Sequence, residues 1–426
     1  MSIEAYPKYE GYKDSGIDWI GEIPSSWSVE PGRQCLYESK EKNTGMKERT
    51  VLSLSYGTII IKNEEKLTGL VPESFETYQI VQPGDIIIRG TDLQNDTTSL
   101  RTGLAQNAGI ITSAYINLRP KAEILPKFLH YVLHSYDVKK VFYALGSGLR
   151  QNLSYEDFKY LRLPIPSADE QRAIAAFLDE KCAKIDSAVR IKEEQIQLLR
   201  ERRQILIQQA VTRGLNSNAS MKDSGIDWIG QIPAHWEVKR NKNMFVEINE
   251  RSRRGEEQHL SMSQKLGLVP ANLVEKSLAS ESYQGAKLVH KGDLVLNRLK
   301  AHLAVFSLAP MGGVVSPDYS VFRPFVRGAV SDYFEILFKT SKYLGEFRLR
   351  VRGIVEGFYR LYTDDFMDCR LLLPPQSEQL DIVRHVHKVS KKFDDSISIK
   401  EKQITALKEY KTILINAAVT GKVKVT

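Results

Sequence analysis

Two stretches of the chain carry an apolar spacing that suits a long helix. In the first, Leu178, Ile185, Lys192, Leu199 and Leu206 form one row at seven-residue intervals, and Cys182, Val189, Ile196, Arg203 and Ala210 form another. In the second, Val386, Phe393, Lys400, Leu407 and Leu414 run beside Ser390, Ile397, Ile404, Lys411 and Ala418. Paired rows at this period make the seam of a coiled coil, so each helix is expected to take the other as an antiparallel partner. Both place a basic residue at the same two seam positions. The first helix is expected to open after Pro164 and Pro166, where Ser167 and Glu170 have capping-box spacing, and to close near Gly214. The second opens after Pro374-Pro375 and closes near Gly421. At about 1.5 Å per residue each spans roughly 65 Å, close to two turns of B-DNA.

These helices belong to a larger repeat. Lys13–Trp27 (KDSGIDWIGEIPSSW) and Lys222–Trp236 (KDSGIDWIGQIPAHW) agree at 12 of 15 positions with an offset of 209. Ile191–Gly214 and Ile399–Lys422 agree at 13 of 24 with an offset of 208. Fainter echoes lie between them: Gly84-Asp85 with Gly292-Asp293, Phe158 with Phe366, and Glu170-Gln171 with Glu378-Gln379. The chain therefore reads as one unit written twice, with a polar linker at Asn216–Ser220. The expected fold is α+β: two mixed α/β domains joined by two long antiparallel coiled-coil helices, in a pseudo-two-fold tandem repeat. Expected boundaries are 1–166 for the first motif and domain and 167–214 for the central spacer helix. The repeated motif and second domain take 215–374, and the C-terminal spacer helix 375–426. Motif and helix stay alike while the domains differ, as two readers on a common frame would. Drift after duplication, with only core residues kept, gives the same pattern.

Composition adds little to this picture. The 426 residues are 42% hydrophobic with a net charge of +8, a mild bias toward a polyanionic partner. Ser28–Pro166 has 17 basic and 15 acidic residues, and Glu237–Pro374 has 21 and 16. Three scattered cysteines, Cys35, Cys182 and Cys369, argue against a disulfide framework or thiolate zinc site. The N-terminus is unlike a signal peptide and no apolar run has membrane-spanning length, so a cytoplasmic protein without membrane contact is expected. No P-loop, no Gly-rich cradle for S-adenosylmethionine and no Asn/Asp-Pro-Pro-Tyr/Phe segment is present, so catalysis by this chain is not expected. No metal site is expected either.

DNA readers use Lys and Arg on phosphates and reach base edges with Arg, Asn and Gln. After the strand-like run Ile86–Ile88 come Arg89, Thr91, Gln94, Asn95, Arg101 and Asn107. After the matching run Leu294–Leu296 come Asn297, Arg298, Lys300 and His302. Arg348, Arg350 and Arg352 alternate and would line one face of an extended segment as a phosphate track. The junctions ahead of the helices add Arg150, Gln151, Tyr359 and Arg360 as candidate contacts. A solvated loop or edge strand is the bland alternative for each. Trp19, Trp27, Trp228 and Trp236 repeat with the motif, which favours packing anchors over base stacking.

The KDSGIDWIG…IP…W entry motif, the junction Gly148–Gln171, the AVTRG and AVTGK helix ends and the GDIII and GDLVL strands resemble those of Type I restriction–modification specificity (S) subunits. The resemblance covers essentially the whole chain in both copies. It implies two target recognition domains, each reading one half of a split double-stranded DNA sequence. Two antiparallel helices would set the gap between them. Implied partners are two methyltransferase (M) subunits, which bind S-adenosylmethionine and methylate adenine N6, and restriction (R) subunits, which use ATP and magnesium. The chain itself would hold no cofactor. The second junction, Phe358-Tyr359-Arg360-Leu361, departs from Arg150-Gln151-Asn152-Leu153, so a role for the amide pair does not carry across. A coiled-coil scaffold whose variable modules bind proteins, and a self-sufficient DNA enzyme, remain the competing readings.

Overall fold

The structure is a computed structural model and describes residues 3–62, 74–96, 98–146, 151–274, 283–355 and 358–425. It divides into two compact units, Met1–Glu193 with Glu401–Thr426, and Glu194–Lys400. The division falls inside both long helices, Ala168–Arg213 and Gln376–Val419, so each unit holds half of each.

In the first unit, strands Leu36–Glu38, Ile116–Pro120, Ile86–Ile88 and Thr102–Leu104 form an antiparallel sheet in that spatial order. Two further antiparallel pairs flank it: Leu52–Ser55 with Thr58–Ile61, and Gln79–Val81 with Gly109–Ile111. Helix Pro126–Val138 supplies Phe128, Leu129, Val132 and Leu133 to a core shared with Ile86, Ile88 and Leu118. The second unit repeats the plan. Phe245–Ile248, Tyr319–Pro324, Leu294–Asn297 and Phe306–Leu308 form its sheet. Its flanking pairs are Leu260–Ser263 with Gly267–Pro270, and Lys287–Val289 with Gly313–Val315. The helices Ser331–Phe338 and Ser341–Arg350 cover it. Two copies with unlike sequences thus share strand order and register.

The echoed residues hold this frame. Asp85 and Asp293 are buried, and each takes a bidentate pair from an arginine on the neighbouring strand. Arg119 donates to Asp85 at 2.7 and 2.9 Å, and Arg323 to Asp293 at 2.8 and 2.8 Å. A carboxylate taken from water requires such partners. Gln171 and Gln379, also buried, clasp each module to its helix. Gln171 accepts from Leu125 N at 2.8 Å and donates to the Pro166 carbonyl; Gln379 does the same with Val330 N at 3.0 Å and the Pro374 carbonyl. Every one of these clasp partners is backbone.

The tryptophans are packing groups, as their repetition implies. Trp27 and Trp236 are buried, Trp19 stands edge-on to Tyr136, and Trp228 edge-on to Tyr343. The capping box is only half formed. Glu170 N donates to Ser167 Oγ at 3.4 Å, whereas the Glu170 carboxylate accepts from the Tyr9 hydroxyl. Its counterpart Glu378 accepts from Trp236 Nε1 at 3.0 Å and meets His235. Both glutamates therefore fasten the entry segments to the helix starts.

All seam positions are buried or half-buried. Leu178, Ile185, Cys182, Val189, Ile196 and Ala210 are buried on the first helix, as are Val386, Ile397, Leu414 and Ala418 on the second; Leu199, Leu206, Phe393, Ile404 and Leu407 are half-buried. The four basic seam residues bond across to the other helix. In the first unit Lys192 Nζ donates to Gln403 at 2.8 Å and Lys411 Nζ to Asp186 at 2.7 Å. In the second, Lys400 Nζ donates to Gln195 at 2.7 Å and Arg203 pairs with Asp394. Within each unit the numbering rises on one helix as it falls on the other. The couples are reciprocal: each contact in one unit has its counterpart, 208 residues away, in the other.

Candidate nucleic-acid interface

The turn that leaves the third strand of each sheet is pinned in the same way in both modules. Leu153 N donates to the Gly90 carbonyl at 2.7 Å, and Leu361 N to the Arg298 carbonyl at 2.9 Å. The far end closes with Arg89 N on the Arg101 carbonyl and Asn297 N on the Val305 carbonyl. Loop and junction thus come together at one edge of each sheet, as the aligned Gly-Asp pairs suggest.

In the first module Gln94 and Asn95 are exposed, while Arg89 and Thr91 are half-buried. Arg89 meets Asp96 at 3.3 Å, and Asn95 donates to Asp92 at 2.7 Å. Asp92 N donates to Asn152 Oδ1 at 3.0 Å, joining loop to junction. Gln151 turns inward, its amide donating to the carbonyls of Tyr143 and Leu145. Arg150 lies outside the described residues.

Two expectations are corrected here. Arg101 is not an outward contact: it is wholly buried, and its guanidinium donates to the carbonyls of Arg89, Thr91, Asp92 and Asp96 and to the Tyr143 hydroxyl. Asn107 is exposed but does not join Arg89–Asn95. Ile88 pairs with Thr102 and Ile86 with Leu104, so the chain has travelled to the opposite end of the sheet before Asn107.

In the second module Lys300 is exposed, and Asn297 and Arg298 are half-buried. Arg298 Nε donates to the Asp318 carbonyl at 2.7 Å. Asn297 Oδ1 accepts from Leu299 N, shaping the turn. His302 stands edge-on to Tyr359 with ring centroids 6.3 Å apart; burial and then the Arg348 charge hold its pKa below the ordinary histidine value. Arg348, exposed, therefore belongs to this cluster. Tyr359 is exposed, and Arg360 Nε is buried without a protein partner.

The arginine track is a third correction. Arg348 and Arg350 sit in the last turn of helix Ser341–Arg350, and only Arg352 is in a strand. On a helix, residues two apart face different ways, and that separates the cations. Arg350 turns to Glu346 at 2.7 Å and Arg352 to Asp365 at 2.6 Å. The segment is helical because Tyr343 and Phe347, four apart, bury one face in the core.

Sequence reasoning missed Arg119, Arg323 and Asn152. The first two had a signal: Arg119-Pro120 and Arg323-Pro324 are a repeated dipeptide, obscured because its offset is 204 rather than 208. Among the described residues no group of three or more His, Cys, Asp or Glu side chains could hold a metal ion. No helix among them is long and apolar enough to cross a membrane.

The tandem modules with unlike loops on a shared frame match one class of protein. Residues 38–198 match the Type I restriction modification DNA specificity domain. Over 449 aligned positions the chain is 24% identical to the protein assigned as the MjaX Type I restriction enzyme specificity subunit of Methanocaldococcus jannaschii, covering 98% of each. It is 25% identical to the EcoKI specificity subunit of Escherichia coli strain K12, covering 64% of this chain and 60% of that protein. In fold it resembles a chain solved in work on complex assembly and conformational transition of the Type I R-M system. That match has a TM-score of 0.66 at 15% identity and covers 93% of this chain and 98% of the other. Residues 38–198 thus carry a Type I restriction modification DNA specificity domain, and the chain as a whole is similar to Type I specificity subunits.

Proposed function

We propose that the chain reads a bipartite double-stranded DNA target, one half-sequence per module, and presents it to methyltransferase and restriction subunits. The observation that carries this is the pair of equivalent loops. They share one backbone pinning scheme yet offer different chemistry, Gln94 and Asn95 in one module, Lys300 beside the helix-borne Arg348 in the other. Amide side chains suit adenine edges, and cations suit guanine or phosphate. The long helices act as an antiparallel coiled-coil spacer that sets the gap between half-targets. Two M subunits dock on this frame and R subunits join them. S-adenosylmethionine belongs to M, ATP and magnesium to R, and the chain performs no chemistry alone, in the cytoplasm.

Two measurements test this. Methyl transfer to duplex DNA is expected from the chain mixed with its M partner and not from the purified chain; transfer by the chain alone would overturn the division of labour. Inserting one heptad into both helices, about 10 Å, should widen the gap by roughly three base pairs. Both half-sequences should stay the same. A changed half-sequence at constant gap would make the helices readers instead of spacers.

A further inference from the structure

Among the described candidate contacts Arg101 is the one that the fold hides completely, and its surroundings give it a different task. Nη1 donates to the carbonyls of Arg89 at 3.1 Å and Thr91 at 2.8 Å. Nη2 donates to those of Asp92 at 3.2 Å and Asp96 at 2.5 Å. Nε donates to the Tyr143 hydroxyl at 3.0 Å, which itself donates to the Asp96 carbonyl at 3.1 Å. The guanidinium also lies over the Tyr143 ring, 5.2 Å from its centre. Behind it, the Arg101 backbone N–H donates to Asp137 at 2.5 Å. One planar fork therefore gathers four carbonyls of a single loop, and those carbonyls point inward while Gln94 and Asn95 point out. Only arginine has donors enough, rigidly spaced, for that geometry.

The second module shapes its loop by other means. Val305, buried, stands where Arg101 stands, as the shared backbone bond at the loop's closing end shows. The loop there is shorter, Arg298–Ala304 against Gly90–Leu100, and is compacted by the single turn Ala301–Leu303. A short turn over an apolar residue needs no internal clasp. A longer loop has more shapes open to it and would lose orientational entropy on meeting DNA unless something fixed it first.

We propose that Arg101 is the positioning residue of the first module's reading loop, holding Arg89–Asp96 in the one shape that selects the first half-target while never touching DNA. This rests on the assignment of that loop as a DNA reader, and the experiment separates the two claims. The full chain, in complex with its methyltransferase partner, is given a library of duplexes randomised in both half-targets, and methylated products are read base by base. Arg101→Gln and Arg101→Lys should lower discrimination in the first half-target on the order of tenfold, with the second half-target profile unchanged. The double variant Gln94→Ala/Asn95→Ala keeps the clasp and removes outward groups. Its loss of first-half preference identifies the loop as the reader.

If the double variant loses that preference while the Arg101 variants retain it, Arg101 does not position the loop and the proposal falls alone. If the double variant retains it, the loop is not the reader, and both claims fall. Reduced total methylation with both profiles intact would mark Arg101 as a stability residue only, which also overturns the proposal. Should the Arg101 variants fail to fold, Tyr143→Phe removes a single hydroxyl from the clasp. It should flatten the first-half profile less strongly; an unchanged profile counts against the proposal.

Discussion

At the residue scale, the chain distinguishes groups that hold from groups that meet solvent, and composition does not. Asp85, Arg101, Gln171 and Asp293 are all buried, though each would pass for surface chemistry in a sequence. Asp85 accepts from Gln82 N at 2.9 Å, Asn117 at 3.1 Å and the Arg119 fork. Asp85→Asn is expected to cost about 2–3 kcal/mol in chemical denaturation, because it removes charge-assisted bonds and leaves Arg119 without its anion. Asp293→Asn should do the same in its own unit. A change below a few tenths of a kcal/mol would show that Arg119 finds another partner. The buried status of Arg101 was not legible beforehand, because nothing in a sequence tells whether an arginine's donors find carbonyls or water. The exposed loop amides Gln94 and Asn95 were legible, since strand-ending polar runs seldom bury.

At the element scale, periodicity predicted two long helices where the structure has Ala168–Arg213 and Gln376–Val419, since a row of apolar side chains at seven-residue spacing has few other uses. Periodicity failed at Arg348–Arg352. Alternation of arginines imitates a strand, but the apolar residues just ahead of them, Tyr343 and Phe347, obey helical spacing and are buried in the core. The polar seam residues give a further prediction. Lys192 and Lys400 sit half-buried among apolar rows, each bonded to one glutamine. A polar residue at such a position specifies alignment at a cost in stability. Lys192→Leu/Lys400→Leu is therefore expected to raise the denaturation midpoint by roughly 1 kcal/mol equivalent. In the methylation assay it should also broaden the range of half-target gaps accepted. A lower midpoint would mean that the lysine–glutamine bonds outweigh apolar packing there.

At the scale of the whole molecule, the repeat was evident from the sequence, and so was the resemblance to Type I specificity subunits. What the repeat concealed is a difference in acid sensitivity. His130 and His134 on helix Pro126–Val138 are half-buried. Burial is the main cause that lowers their pKa values, to about 3 and about 4; His134 adds to the shift at His130, and Lys411 to that at His134. The matched clasps at Leu125 and Val330 put Glu335 and Lys339 at the equivalent helix positions, so the second module has no histidine there. Unfolded histidines take up protons below about pH 6.5, whereas these folded ones refuse them until far lower. Their contribution is complete above pH 6.5 and diminishes as pH falls, by about 1–2 kcal/mol per ring at pH 5. In the second unit burial also lowers His259 and His302, but less far, so the first unit should unfold before the second on acidification, visible as a split thermal transition. In a His130→Phe variant that split should narrow; equal acid sensitivity of both units would contradict the assignment.

The glutamine clasps have an evolutionary corollary. Gln171 and Gln379 grip only main-chain groups, which every amino acid offers, so these two clasps ask nothing of a module's side chains. A foreign module placed between the repeated segments would still find these two grips, whatever its side chains.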